Sequence, residues 1–368
     1  MARKIVSTFT AGLKDGQHAA IGKLSTPLKA IVQEESDYLS KEEGPAKWLC
    51  VHERTNRFAE SSVGEARRAG LDIVDEGDAA PLYGRSEVDL ATVTMYQFMR
   101  KEIITAVEIE DSFGEVSATM RRQLKRMVRD YYVARHQLAS FLMANGTKTQ
   151  AVFGGKKLTI GAPNAHPLFY NAHEVGDEGD TQSNIFYSTR AAGTALDRSM
   201  IEDIMNHAAV KMSNMKDNGG LPMGYYPDTI IIPGSNPKLL KLVKQAVGSE
   251  FSDNGTGAAS NGINIQSGNW NIIQLPFWNV GENACPMIFM SSAARDALGG
   301  NIMFTRKALE VRDGIDEDTW NYWWVARARL GVGHFTYKHA LYFESLADGT
   351  TTLSDGQVAA TAATQITL

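Results

Sequence analysis

The sequence predicts a mixed α+β fold. Period-two apolar alternation appears near residues 87–110 and again near 320–343, and Ser112 to Asn145 repeats apolar residues at the helical period. A third observation is the short apolar run Thr229-Ile230-Ile231-Ile232 between Pro227 and Pro233, which reads as a buried strand among helices.

A length of 368 residues predicts two or three compact units or one elaborate one, and 43% apolar residues exclude disorder for most of the chain. With 37 basic against 42 acidic residues the net charge is −5, so any nucleic-acid contact must come from a local basic face. Cys50 and Cys285 lie far apart and form no C-x-x-C pair. That argues against a disulfide framework or thiolate zinc site and fits a reducing compartment. The stretch after Met1-Ala2-Arg3-Lys4 carries Ser7 and Thr8 and is cut by Lys14 and Asp15, unlike a signal peptide. No apolar run approaches a membrane span, so the expectation is a soluble cytoplasmic protein without membrane contact.

The elements follow in chain order. Up to about Pro45 the sequence reads as an arm with one or two short helices, ending in the acidic run Glu34, Glu35, Asp37, Glu42 and Glu43. A strand is predicted over Lys47 to Glu53. The Gly-rich, charged stretch from Phe58 to Arg85 is too long for an ordinary connection. Strand-like sequence follows, with Val88 and Leu90, then Ile103, Val107 and Ile109, alternating with acidic residues; loop and flanks together predict an extended hairpin.

Ser112-Phe113-Gly114-Glu115 has the form of a capping box, so a long helix should start there. Val116, Met120, Leu124, Met127, Tyr131, Ala134 and Leu138 recur every 3.7 residues or so, and Gly146 is the expected C-terminal cap. Such a helix would be about 50 Å long. Arg121, Arg122, Lys125, Arg129 and His136 fall opposite its apolar stripe, giving a basic outer face. That face is either solvated or contacts another chain or nucleic acid.

Ile201, Ile204, Ala208, Met212 and Met215 predict a second helix, N-capped by Asp197 and stopped at Gly219-Gly220; Lys238 to Val247 predicts a third. Residues 248–268 form a long loop rich in Gly, Ser and Asn. Tyr322, Trp324, Ala326, Ala328 and Leu330, continuing from Trp320, alternate with Trp323, Val325, Arg327 and Arg329 as a strand, with another through Leu341 and Phe343.

Chemical motifs are sparse. Gly154-Gly155-Lys156-Lys157 lacks the spacing and the hydroxyl of a phosphate loop, and Gly331-Val332-Gly333 lacks the third glycine of a dinucleotide site. His166, His173, Asp177 and Asp180 are the best candidate metal ligands, although Pro163, Pro167 and Gly176 leave them no common face. Asp313, Asp316, Glu317 and Asp318 lack the calcium-loop pattern and read as a charged turn. No nucleophile elbow or Cys–His pairing is present, and no catalytic, cofactor-binding or metal residue is assigned.

The order of parts resembles the major capsid proteins of tailed bacteriophages with the Hong Kong ninety-seven fold, with closer similarity to Mu-like major head subunits. The residues that carry it are Phe58-Ala59-Glu60-Ser61-Ser62, Ile109-Glu110-Asp111-Ser112-Phe113-Gly114, His166-Pro167-Leu168-Phe169, Leu221-Pro222, Pro227 to Pro233, and Trp323-Trp324-Val325-Ala326-Arg327-Ala328-Arg329-Leu330-Gly331.

The resemblance implies an N-terminal arm over 1–56, an extended loop over 57–104, and a peripheral domain over 105–233 with its spine helix at 112–145. An axial domain would cover 234–300, return strands of the peripheral domain 301–345, and a tail 346–368. It implies self-assembly as hexamers and pentamers into an icosahedral head shell enclosing double-stranded DNA, with scaffold, portal and decoration proteins as partners and no cofactor. The location would be the virion capsid, assembled in the host cytoplasm. With Met1 leading straight into the arm, a separate scaffold protein is expected.

Loop residues Asp72, Asp75, Glu76 and Asp78 would meet Arg or Lys of a neighbouring copy, and Arg121, Arg122, Lys125 and Arg129 would face the interior, DNA or another subunit. Two alternatives stand beside this: an encapsulin-like compartment shell, and a metal-dependent hydrolase built around His166 and His173.

Overall fold

The computed structural model describes residues 30–41, 44–65, 87–105, 107, 118–160, 166–175, 180–190, 196–217, 219–248, 264, 266–280, 285–316, 318–319, 321–347 and 364–366. The class is α+β, as expected. The arm contributes helix α1 (residues 30–39) and the short α2 (Pro45–Leu49), then strand β1 (Val51–Arg54). Pro45 starts α2, where its missing N–H costs nothing. The strand expected from Lys47 therefore begins only at Val51.

Strands β2 (Ala59–Glu65) and β3 (Glu87–Thr94) pair antiparallel as the two stems of the expected hairpin, and Phe58 C=O accepts from Met95 N–H at its base. After Met95 the chain runs directly into β4 (Tyr96–Ile104), so hairpin and sheet share one continuous polypeptide path. The alternation expected through Val107 and Ile109 is shifted: Ile104 is buried and Ile103 faces out, because β4 pairs Ile104 with Tyr322 on the packed side.

Helix α3 (Ala118–Ala144) is the long helix, 27 residues and about 40 Å. The capping box at 112–115 lies outside the described residues. The predicted stripe is correct from Met120 onward: Met120, Leu124 and Met127 pack against Tyr322, Trp324 and Ala326, while Leu138, Leu142 and Met143 enter the main core. Gly146 is not a left-handed cap. It lies against Phe169, whose ring a Cβ would meet at 2.6 Å, and its carbonyl accepts from Phe169 N–H.

Two small hairpins follow, β5 (Gln150–Phe153) with β6 (Lys156–Thr159) and β7 (His173–Val175) with β8 (Asp180–Gln182), then β9 (Ile185–Arg190). Helix α4 (Arg198–Ser213) has the predicted cap, Asp197 accepting from Met200 N–H. It ends at Asn214 rather than at Gly219, because Asp217 Oδ1 takes the N–H groups of Gly219 and Leu221 into a turn of its own. Met215 is buried beyond the helix end.

Strand β10 (Thr229–Pro233), helix α5 (Pro237–Gly248), strands β11 (Asn271–Leu275) and β12 (Met287–Met290), and helix α6 (Ser292–Leu298) complete the central region. The last strands are β13 (Asn301–Ile315), β14 (Tyr322–His334), β15 (Ala340–Ala347) and β16 (Thr364–Ile366).

A four-stranded sheet has the order β1-β13-β14-β4, and a six-stranded sheet the order β11-β10-β12-β15-β9-β16. The second sheet crosses the expected domain boundaries. β10, the fully buried apolar run, pairs with both β11 and β12, so residues 229–233 cannot be separated from 234–300. β9 and β15 belong to it as well, and β16 joins it from the expected tail. Among the described residues no helix is long and apolar enough to cross a membrane.

Candidate functional site

The basic face of α3 is partly covered by the chain's own arm. Ile31, Glu35 and Leu39 recur four apart on α1 and are all buried, so α1 lies along α3 with Leu39 against Val128 and Tyr132. Glu35 sits in the middle of that stripe, held by Lys125 Nζ at 2.9 Å and Arg129 at 3.6 Å. A buried carboxylate is tolerable there because two cations reach it. Tyr132 donates to Ser36 C=O at 3.1 Å.

Two of the four predicted basic residues are thus engaged within the chain. Arg121, Arg122 and Arg129 are exposed, as is Arg126, which the helical-wheel reading passed over although it follows Arg122 by four positions. Glu34, Glu35, Tyr38, Arg122, Lys125, Arg126 and Arg129 line a groove of about 560 Å³ between the helices. His136 is not part of an open basic face. Its ring fills the space beside Gly44, where a Cβ would come within 2.4 Å, and its Nδ1 accepts from Ala46 N–H at 3.3 Å.

The rest of the arm is tied at its carbonyls. Arg295 donates to Trp48 C=O at 2.6 Å, and Asn301 Nδ2 donates to Leu49 C=O at 3.1 Å. Asn301 Oδ1 in turn accepts from His334 Nδ1 at 2.7 Å and His339 Nε2 at 2.8 Å, in a fully buried node. Burial pushes His339 down to about 3 and His334 well below the usual imidazole range. Cys50, beside this node, is a buried free thiol pushed up to about 12 by burial.

No family model matches the chain, and no curated protein matches it. Solved structures do. The capsid of cyanophage P-SCSP1u is similar at 10% identity and a TM-score of 0.49, covering 82% of this chain and 87% of that one. The capsid of a native GTA particle is similar at 13% identity and a TM-score of 0.49, covering 83% and 92%. A structure of Mycobacterium phage Patience is similar at 12% identity and a TM-score of 0.47, covering 87% and 86%.

A second surface lies on the four-stranded sheet. One face packs on α3 through Tyr322, Trp324 and Ala326. The register puts Ile103 beside Trp323, Lys101 beside Val325, Met99 beside Arg327 and Gln97 beside Arg329 on the other face, with Lys307, Glu310 and Arg312 of β13. Met99 and Ile103 are 59% and 51% exposed, large values for apolar strand residues. Lys101 Nζ lies 5.3 Å from the Trp323 ring centroid. Five cations therefore share this face with Glu310, which is paired to Lys307 and Arg312 and lowered in pKa by them. Among the described residues Arg327 Nε has no hydrogen-bond partner. The alternation of Arg327 and Arg329 with alanines was visible in the sequence; the cross-strand neighbours that make them a patch were not.

The remaining predicted residues separate. Asp72, Asp75, Glu76 and Asp78 lie outside the described residues, as does Asp177. His173 is buried, stacked on Tyr337 at 3.6 Å, with Nε2 donating to Leu168 C=O at 3.1 Å, and burial pushes it down to about 3. His166 stacks on Tyr170, and Asp180 is exposed on β8. Packing and a backbone bond occupy His173, and among the described residues no group of three or more His, Cys, Asp or Glu side chains could hold a metal. Asp316 lies in the predicted turn, accepting from Thr319 Oγ1, whereas Asp313 is still within β13, paired with Trp324 and accepting from Tyr322 OH.

Proposed function

We propose that this chain is the major capsid protein of a tailed bacteriophage, related most closely to Mu-like major head subunits. It self-assembles as hexamers and pentamers into an icosahedral head shell that encloses double-stranded DNA. The observation that carries this reading is a pair of complementary deficits. Beyond its base, where Ala91 and Val93 are buried and Val93 packs with Ile302 and Phe304, the β2–β3 hairpin is a two-stranded ribbon, a structure marginal in water without further packing, and the outer sheet face exposes apolar residues among five cations. A repeating neighbour supplies cover for both. The loop between the stems brings Asp72, Asp75, Glu76 and Asp78, whose charge complements Lys101, Lys307, Arg312, Arg327 and Arg329.

In this reading the arm, hairpin and long helix take the peripheral roles, the unit around β10–β12 lies toward a symmetry axis, and the exposed Arg121, Arg122 and Arg126 meet DNA phosphates without reading sequence. Scaffold, portal and decoration proteins are the partners, the virion is the location, and assembly takes place in the host cytoplasm. No catalytic step is invoked.

The test is light scattering on a sizing column with negative-stain images of each peak. Closed shells or capsomer-sized rings are expected. Nucleic acid inside the particles separates a virus from an enzyme-filled compartment, and a small oligomer with stoichiometric metal overturns the reading.

A further inference from the structure

Strand β9 has the burial of an interior strand. Ile185, Phe186, Tyr187 and Ser188 are buried in succession, on both faces of the sheet. One side of β9 pairs with β15 over six residues. Among the described residues the other is closed by β16 alone, through the Cα pairs Phe186–Thr364, Tyr187–Gln365 and Ser188–Ile366. A buried strand with an open edge is a site for another strand, so this edge requires an occupant.

The chain that delivers the occupant is much longer than it needs to be. β15 ends at Ala347, opposite Arg190, and β16 begins at Thr364, opposite Phe186, on the far side of β9. Stepping back four residues and across two strand spacings is a distance of roughly 16 Å. Residues 348–363 can span about 55 Å when extended. The same tether that reaches its own β9 therefore reaches the β9 of an adjacent copy.

We propose that β16 is an exchanged strand: in the assembled particle residues 364–366 of one copy complete the six-stranded sheet of its neighbour. This rests on the shell reading, which brings copies into contact. The backbone pairing is identical in either arrangement, so exchange costs no hydrogen bond, and it links each copy to the next by a strand that cannot leave without opening a buried edge.

The test uses Ser188→Cys and Ile366→Cys, whose Cα atoms are partners across the β9–β16 pair, a separation that a disulfide spans. Subunits carrying only one substitution are mixed with subunits carrying only the other, assembled, oxidised and run on a denaturing gel without reductant. Each preparation alone is the control for Cys50 and Cys285. A covalent dimer specific to the mixture is expected. The chain carrying both substitutions should give a ladder from particles and an internally linked monomer from unassembled subunits. The neighbouring pair Tyr187→Cys and Gln365→Cys provides a second reading should Ser188→Cys disturb folding.

Internally linked monomers alone, recovered from particles of shell size, overturn the exchange and leave the shell reading intact. The same band from a preparation that light scattering shows never to assemble overturns both. Failure of both pairs to link in folded protein overturns the β16 register itself.

Discussion

Gly331 on β14 and Met95, between β3 and β4, occupy one space: a Cβ on Gly331 would lie 2.6 Å from Met95 Sδ and 2.8 Å from the Thr94 carbonyl oxygen. Met95 is buried there with Val93, Ile302 and Phe304. The chain turns from hairpin to sheet at this point, so the glycine fixes where the hairpin leaves the body.

Gly331→Ala should cost about 1–3 kcal/mol, the usual penalty for overpacking. Met95→Ala added to it should recover only part, because the backbone carbonyl of Thr94 remains in the way. Urea titration of the single and double variants checks both statements. Full recovery in the double variant would show that the side chain alone sets the fit.

Glu35→Gln leaves Lys125 and Arg129 without their shared carboxylate. Both cations are partly solvated, so the loss should be modest, about 1 kcal/mol. Its effect should be local: hydrogen exchange should accelerate through residues 30–39 and stay unchanged in β10 and β12. Uniform acceleration would mean that the arm is not a separable unit. The result also decides how the basic face can be probed, since neutralising Lys125 or Arg129 releases the arm as well. Arg121→Gln with Arg126→Gln is the cleaner variant for DNA packaging, and unchanged packaging would count against interior phosphate contacts.

His173 and His339 are held neutral by burial, each pushed down to about 3, and His334 is lowered in the same direction. The unfolded chain binds protons at these positions below about pH 6.5 and the folded chain does not. Their stabilising contribution is therefore complete above about pH 6.5 and is lost as pH falls toward 3, by about 1.4 kcal/mol per histidine per pH unit. Urea midpoints at pH 7 and pH 5 should differ strongly in the native chain. The difference should shrink in His173→Phe, which keeps a ring against Tyr337. An unchanged pH dependence in that variant would place the responsible protons elsewhere.

Local pattern made much of this legible. The Asp197 cap, the β10 run, the alternation of β14 and the stripe of α3 each depend on neighbours a few residues away, and each stands in the structure as read. What the sequence concealed is long-range. Nothing in the acidic run of the arm marked one of its members as buried, because the partners of Glu35 lie about ninety positions later. Ile103 and Ile104 are adjacent and equally apolar, so only the pairing of Ile104 with Tyr322 decides which is buried. Membership of the six-stranded sheet depends on strands as distant as β9 and β16, and no local signal links them.

The charge complementarity between loop and sheet face gives the most demanding prediction. In the proposed contact, Asp75→Arg with Glu76→Arg turns an attraction into a like-charge meeting with Arg312, Arg327 and Arg329, a change that costs several kcal/mol where such charges meet. Each 1.4 kcal/mol per contact is tenfold in association, so particle yield should fall by at least about tenfold while the urea midpoint of the subunit stays the same. Adding Arg327→Glu and Arg329→Glu to the same chain restores opposite charges across the contact and should recover particles, although the sheet-face pair alone should assemble poorly. Light scattering on the three variants reads all of this. Normal particles from the loop reversal would remove these carboxylates from the interface, and failure of the combined variant would leave the loop charged for a different partner surface.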